Sequence, residues 1–170
     1  GMEDKVQVAV VNSPTMITLA GDKEPLEELA EKLEAEGKFV RQLRINYAFH
    51  THQMEPIKDE LLEALADIKP KATEIPYIST VTGGAVRGEE LDAMYWWRNV
   101  REAVLFAPAM NNLIRAGERL FVELGPHPAL NSPINECLSE QKRKGAVFHS
   151  LKRKTNETTE MLSNLAALHN

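Results

Sequence analysis

Asn46-Tyr47-Ala48-Phe49-His50-Thr51-His52-Gln53-Met54-Glu55-Pro56 is the junction around which the chain is arranged. It falls where a strand-like run, Phe39 to Ile45, stops and a helix-like run, Ile57 to Ile68, begins. Read as a boundary, it separates a β-rich opening from a longer stretch in which strands and helices alternate. A histidine at such a junction is held by ordered elements on both sides while its ring stays near solvent, the setting that general-base work requires. Spacing alone favours a plainer role, a histidine packed at a helix start.

Toward the N-terminus, Val6-Gln7-Val8-Ala9-Val10-Val11 is rich in strand formers. Asn12-Ser13-Pro14 supplies turn chemistry and Thr15 to Ala20 reads as a second strand, so the two should pair as a hairpin. Asp22 is placed to cap a helix from about Glu24 to Glu36, with Pro25 in its first turn. Leu26, Leu29, Ala30 and Leu33 give that helix one apolar stripe, and Gly37 ends it. Phe39 to Ile45 alternates apolar and polar residues as a half-buried strand would. The order β-β-α-β is that of a ferredoxin-like unit without its opening strand and helix.

Toward the C-terminus, Ile57, Leu61, Leu62, Leu65 and Ile68 recur at helical spacing until Lys69-Pro70. Ile75 to Val81 reads as a strand and Thr82-Gly83-Gly84 as a turn. Helices are predicted from about Gly88 to Asn99 and from Phe106 to Ala116, the second ended by Gly117. Leu120 to Leu124 is a short buried strand, followed by the abrupt loop Gly125-Pro126-His127-Pro128. Residues 129–141 read as helix, 146–151 as strand and 157–168 as helix. Alternating strands and helices imply a parallel sheet under helical cover, an α/β architecture.

Composition narrows the function classes. The chain has 170 residues, 43% of them apolar and 26% charged, with a formal net charge of -5. A thin acidic balance argues against a nucleic-acid surface, which needs clustered cations. Lys142-Arg143-Lys144 and Lys152-Arg153-Lys154 are split by an apolar run and read as a solvated face. Cys137, the single cysteine, has no partner for an internal disulfide, so a reducing, cytoplasmic compartment is the default. No apolar run approaches the roughly 20 residues of a membrane span, and no signal peptide is visible. Gly1 ahead of Met2 has the look of a tag-cleavage remnant, so the chain is expected to be cut from something longer.

Tyr47-Ala48-Phe49-His50 resembles the four-residue motif of polyketide synthase acyltransferase domains, YASH or HAFH in the commonest subclasses. Tyr95-Trp96-Trp97-Arg98-Asn99-Val100-Arg101-Glu102-Ala103-Val104-Leu105-Phe106 is similar to that family's YWxxNLRxPVxF block. Phe121-Val122-Glu123-Leu124-Gly125-Pro126-His127-Pro128-Ala129-Leu130 is similar to its FVExGPHPxL block, and Tyr77-Ile78-Ser79-Thr80-Val81-Thr82-Gly83 to the strand between. Val11-Asn12-Ser13-Pro14 and Leu19-Ala20-Gly21-Asp22 resemble the middle of its ferredoxin-like subdomain. Order and spacing agree over about residues 6–168.

The resemblance implies that residues 1–48 are part of a ferredoxin-like small subdomain. Residues 49–150 would be the C-terminal part of an α/β-hydrolase-like large subdomain, and 151–170 a linker helix following the domain. It implies that His50 is the catalytic base. A histidine base needs its far ring nitrogen held by an acceptor, and the family's acceptor is a backbone carbonyl whose matching position is Asn99. Tyr47, Ala48 and Phe49 occupy the specificity positions. The motif mixes the malonyl-type and methylmalonyl-type signatures, and the bulk of Phe49 should crowd a methyl branch, which tilts the expectation to malonyl.

The family's nucleophile is the serine of Gly-His-Ser-x-Gly on a strand-to-helix elbow beside an oxyanion hole. No serine here has glycine two residues before and two after. The arginine that clamps a malonyl carboxylate belongs to an upstream block, and Arg41, Arg44, Arg98 and Arg101 do not stand in for it. The implied activity is therefore that of a larger acyltransferase. It moves a malonyl-type unit from malonyl-CoA or methylmalonyl-CoA to the phosphopantetheine of an acyl carrier protein, with no covalently bound cofactor, and this chain alone is expected to be inactive. A neighbouring ketosynthase domain is the expected partner of the linker. The alternative is a non-catalytic docking or scaffold module. His127, between two prolines, reads as structural with its ring bonded to backbone; His50 and His52 are thin grounds for a metal site, Cys137 reads as core and the aromatic trio as packing. An uncovered sheet edge should lead the isolated chain to self-associate.

Overall fold

The computed structural model describes residues 4–43, 45 and 47–169, so Arg44 and Asn46 lie outside the described residues. The chain opens with the antiparallel hairpin β1 (Val6–Ser13) and β2 (Met16–Gly21), as the turn chemistry of residues 12–14 predicts. Helix α1 (Lys23–Ala35) follows, and Gly37 beyond it adopts a φ of 76°, which glycine reaches without a Cβ clash. Asp22 occupies the N-cap position, but its side chain makes no cap hydrogen bond. The carboxylate instead accepts from Gln53 Nε2 at 2.7 Å, an interaction between distant parts of the sequence.

The strand expected over Phe39 to Ile45 does not form: residues 38–43 and 45 are irregular, and Phe39 is 91% exposed. Alternation makes a strand only where a neighbouring edge completes the ladder and a core covers one face. Among the described residues neither is offered to this segment. After the histidine junction comes a 3-10 helix, His52–Ile57, and then α2 (Lys58–Ala64), a shorter α-helix than the apolar spacing predicts. Pro56 has no N–H to donate, which suits the tighter first turn better than a continuous α-helix.

The strand expected over residues 75–81 is reduced to β3 (Tyr77–Ile78), paired antiparallel with β4 (Ala85–Val86) across Thr82-Gly83-Gly84. Gly83 sits at a φ of 73°. A 3-10 turn, Gly88–Glu90, leads to α3 (Ala93–Arg101), capped by Asp92, whose Oδ1 accepts the Tyr95 N–H at 2.8 Å. Tyr95 and Trp97 are buried, while Trp96 is 36% exposed and donates its indole N–H to the Leu91 carbonyl. The packing role expected of the trio holds for Tyr95 and Trp97, and Trp96 is only partly covered.

Residues 103–105 thread between two elements. Val104 donates to the Ala9 carbonyl at 2.8 Å and accepts from the Val11 N–H at 2.9 Å, while Leu105 donates to the Thr80 carbonyl at 2.6 Å. The opening hairpin is thereby stitched to the rest of the chain. Helix α4 (Phe106–Ala116) ends at Gly117 with φ 110°, as its sequence predicts. Strand β5 (Leu120–Glu123), helix α5 (Asn131–Glu140) and strand β6 (Ala146–His149) form a parallel β-α-β unit in the register Leu120 to Ala146 through Glu123 to His149. This pair is the parallel sheet that the alternation predicts. Helix α6 (Glu157–His169) closes the chain.

The core lies between α4, α5 and the strands beside them. Ala107, Ile114, Ile134, Cys137 and Leu138 are buried together, with Val11, Phe106, Phe121 and Val147 packed against them. Cys137 is core, as expected, and burial pushes its thiol up from the ordinary value. The other face of the β5–β6 pair borders an open cleft that α6 lines from the far side. Leu120, Val122 and Leu124 are exposed on that face, so the strand expected to be buried is covered on one face only.

One carboxylate ties the turn of the opening hairpin to α5. Glu136 accepts from the hydroxyls of Ser13, of Thr15 at 2.7 Å and of Ser132 at 3.0 Å, and these bonds hold its acid below the ordinary carboxyl value of 4.5. A folded-state value below the unfolded one contributes stability that is complete above the unfolded value and lost as pH falls through the folded one. The urea midpoint is therefore expected to fall as pH drops below the ordinary carboxyl range, and Glu136→Gln should flatten that fall while lowering the midpoint near neutrality. An unchanged slope in denaturation curves of the variant would contradict this linkage.

Candidate active site

Helix α3 reaches its end at Arg101, and Glu102 turns to extended backbone, with φ -85° and ψ 159°. The last carbonyls of a helix have no intrahelical donor, so they are free to accept from elsewhere. Two of the acceptors at this end of the chain take their donors from His50. The His50 N–H donates to the Val100 carbonyl at 3.0 Å, and ring Nδ1 lies 2.9 Å from the Glu102 carbonyl oxygen. A carbonyl accepts only, so Nδ1 carries the proton of the neutral ring and Nε2 keeps its lone pair. Nε2 has no protein partner among the described residues.

The acceptor expected at Asn99 is therefore Glu102, further along the chain. Asn99 lies within the last turn of α3, where carbonyls point along the helix axis. Only past Arg101, where the chain becomes extended, does a carbonyl swing sideways to meet the ring. Val100 was not singled out from the sequence either, since a backbone acceptor leaves no mark on residue type.

His50 itself has φ 65°, in the left-handed region. That conformation costs about 1–3 kcal/mol for a residue with a Cβ and persists only where neighbours enforce it. Thr51, fully buried, supplies part of the enforcement. Its hydroxyl donates to the Ala48 carbonyl at 2.6 Å and accepts from the Gln53 N–H at 3.2 Å, capping the 3-10 helix. The His52 N–H donates to Gln7 Oε1 at 2.9 Å, which ties the same turn to β1. Arg101 Nε donates to Glu55 Oε1 at 2.6 Å, joining the 3-10 helix to the end of α3. Arg98 grips both carboxylate oxygens of Glu102, at 2.9 and 3.0 Å.

The residues before the histidine form an aromatic edge. Tyr47 and Phe49 are exposed with ring centroids 5.9 Å apart, Phe49 lies 6.5 Å from the His50 ring, and Ala48 is half-buried between them. Phe49, one of the three specificity positions expected from the sequence, thus has its ring near the imidazole. His50 and His52 take different partners: His52 Nε2 is 3.9 Å from Asp22 Oδ1, whereas His50 Nδ1 meets the Glu102 carbonyl. His127 accepts the Arg153 N–H at Nδ1, at 3.4 Å, the backbone-bonded structural role expected of it. His149, without context in the sequence, bonds Glu160 at 2.7 Å and anchors α6 to β6. Arg98 and Arg101 are engaged in their ion pairs.

The acyl transferase domain family matches residues 2–170, and the chain belongs to that family. It is 36% identical over 167 residues to the spectinabilin polyketide synthase system protein NorC of Streptomyces orinoci, covering 98% of this chain and 7% of that protein. The acyltransferase domain from module 8 of the salinomycin polyketide synthase is similar with a TM-score of 0.94 and 35% identity, over 96% of this chain and 39% of that one. A loading acyltransferase from the avermectin modular polyketide synthase is similar with a TM-score of 0.92 and 30% identity, over 100% of this chain and 52% of that one. The chain thus spans a small share of the polyketide synthase protein and about two-fifths to one-half of the two solved chains. Its mixed α/β content is that of these acyltransferase domains. No helix among the described residues is long and apolar enough to cross a membrane.

Thr51→Val keeps the volume but strands the Ala48 carbonyl and the Gln53 N–H without a partner. A cost of about 1–3 kcal/mol is expected, measured as a lower urea midpoint, with a weakened Gln53 amide in hydrogen exchange. A variant as stable as the parent sequence would show that the cap does not hold the turn.

Proposed function

We propose that this chain supplies the histidine base, and the pocket edge beside it, of a polyketide synthase acyltransferase that moves a malonyl-type unit from coenzyme A to an acyl carrier protein. One observation carries the reading: His50 is gripped at its backbone and at Nδ1 by the end of α3, which leaves Nε2 free to exchange a proton. Residues 1–48 belong in this reading to a ferredoxin-like small subdomain, 49–150 to the closing part of a hydrolase-like one, and 151–170 to the following linker. The exposed apolar residues of α6, Met161, Leu162 and Leu165, suit packing on a neighbouring ketosynthase domain.

The transfer runs in two matched halves. A serine hydroxyl oxygen, supplied outside this sequence, attacks the thioester carbonyl carbon as its proton passes to His50 Nε2. The carbon–sulfur bond breaks, the thiolate of coenzyme A takes the proton back from Nε2, and an acyl ester remains on the serine. The phosphopantetheine thiol then gives its proton to Nε2 and attacks the ester. The serine oxygen leaves with that proton and the acyl group rests on the carrier. In both halves the Glu102 carbonyl keeps the ring from turning while Nε2 gains and loses charge. The oxyanion hole and the carboxylate-binding arginine also belong to the remainder of the enzyme.

In the parent protein, His50→Ala is expected to slow carrier acylation about 10²- to 10⁴-fold. The 170-residue chain alone, given malonyl-CoA and a carrier protein, should give no catalytic transfer. Turnover by the chain alone, or transfer undiminished by the substitution, would overturn the reading.

Substrate choice follows from the aromatic edge. Phe49 has its ring 6.5 Å from the imidazole, and in this reading its bulk crowds a branch at the acyl α-carbon. A single methyl branch is worth about 1–3 kcal/mol in such a pocket, so malonyl is preferred by a modest factor. Phe49→Ser in the parent protein should raise kcat/KM for methylmalonyl-CoA relative to malonyl-CoA. A ratio that stays level or moves the other way would remove Phe49 from the selection.

A further inference from the structure

We propose that the Arg101–Glu55 ion pair is a positioning device that keeps the His50 imidazole in its proton-accepting orientation; as a statement about transfer, it rests on the function proposed above. The pair stands where such a device is needed. His50 is held from one side by the carbonyls of Val100 and Glu102, and Arg101 is the residue between them. The 3-10 helix that carries Glu55 begins two residues past His50. Arg101 Nε and Glu55 Oε1, 2.6 Å apart, therefore join the two elements whose relative placement sets both His50 hydrogen bonds.

Stability does not account for the pair. Its side chains are 25% and 51% exposed, and surface ion pairs of that kind contribute little to folding. Placement does account for it, because His50 is held at φ 65° and its turn would relax if the 3-10 helix slid along α3. A slide would open the contact at the Glu102 carbonyl and let the ring turn. Glu102 is no rival for Arg101, since Arg98 occupies both of its carboxylate oxygens. Thr51 fixes the internal shape of the turn through Ala48 and Gln53, whereas the ion pair fixes where that turn stands against α3. Charge attraction between fixed elements suits this task, because positioning demands a short, directional contact.

The test reads ring geometry and transfer separately. In the 170-residue chain labelled with 15N, two-bond imidazole correlations at a pH where the ring is neutral should show His50 protonated at Nδ1. Arg101→Ala and Glu55→Gln should each shift His50 toward the Nε2-protonated form, leaving the His149 signals and the urea midpoint in place. The charge-swapped double variant, Glu55→Arg with Arg101→Glu, should restore the Nδ1-protonated form. Should Arg101→Ala fail to fold, Glu55→Gln, which keeps the arginine in place, decides the matter. In the parent protein both single variants should lower kcat between about ten- and a hundred-fold at unchanged KM, with recovery in the swap. A His50 tautomer unmoved by either single variant, or kcat unmoved while the tautomer shifts, would overturn the proposal. Transfer unaffected by His50→Ala would instead overturn the function proposed above, and the tautomer result would still decide whether the pair holds the ring.

Discussion

Two main-chain oxygens at the end of one helix hold the imidazole, and most of the surrounding structure serves to fix where that helix ends. Asp92 sets the start of α3, and the buried Tyr95 and Trp97 stop it from rolling. Past its end, Val104 and Leu105 are bonded to Ala9, Val11 and Thr80. The carbonyls of Val100 and Glu102 thus lie between a capped helix start and a woven exit. Moving either oxygen would mean breaking hydrogen bonds on two sides, and buried backbone bonds are costly to leave unmade.

The same economy of contacts joins the opening hairpin to the later core. Strand β1 has β2 on one edge and the Val104 segment on the other, so it is not left with a bare ladder. Its far turn is tied to α5 through the hydroxyls that meet Glu136. Gln7 and Asp22, one on β1 and the other just past β2, reach the turn after His50 through the His52 N–H and Gln53. The opening segment therefore contributes to the site through second contacts, with no reactive group of its own. The Gln7 contact matters most of these, because the His52 N–H it accepts is half-buried and would otherwise lose water without replacement.

Local chemistry made some of this legible and not the rest. The hairpin, the glycine ends at Gly37 and Gly117, and the parallel β5–β6 pair follow from turn residues and periodicity, which act within a few residues. The histidine could be singled out from its junction, and its catalytic reading came from the ordered resemblance of several blocks. The segment from Phe39 to Ile45 shows the limit, since its alternation is a strand pattern but a strand also requires a neighbour. Asp22 looked like a cap and is one by position, yet a distant glutamine wins its carboxylate. The Arg101–Glu55 and His149–Glu160 contacts left no local mark, because their partners meet only after the fold has formed.

Glu102 is the most instructive of these cases. When an acid side chain holds a histidine, the sequence must spell that acid, and its loss is a substitution. When a carbonyl holds it, every residue except in its geometry is equivalent, and the requirement passes from residue type to the place where a helix stops. Asn99 and Glu102 offer chemically identical oxygens; what separates them is that the chain is still helical at one and extended at the other. The failure mode of such a site is displacement, which explains why charged contacts that change no chemistry, Arg98 with Glu102 and Arg101 with Glu55, gather at the helix end. A histidine held by backbone depends on everything that fixes the backbone, so the residues that matter to it extend well beyond those it touches.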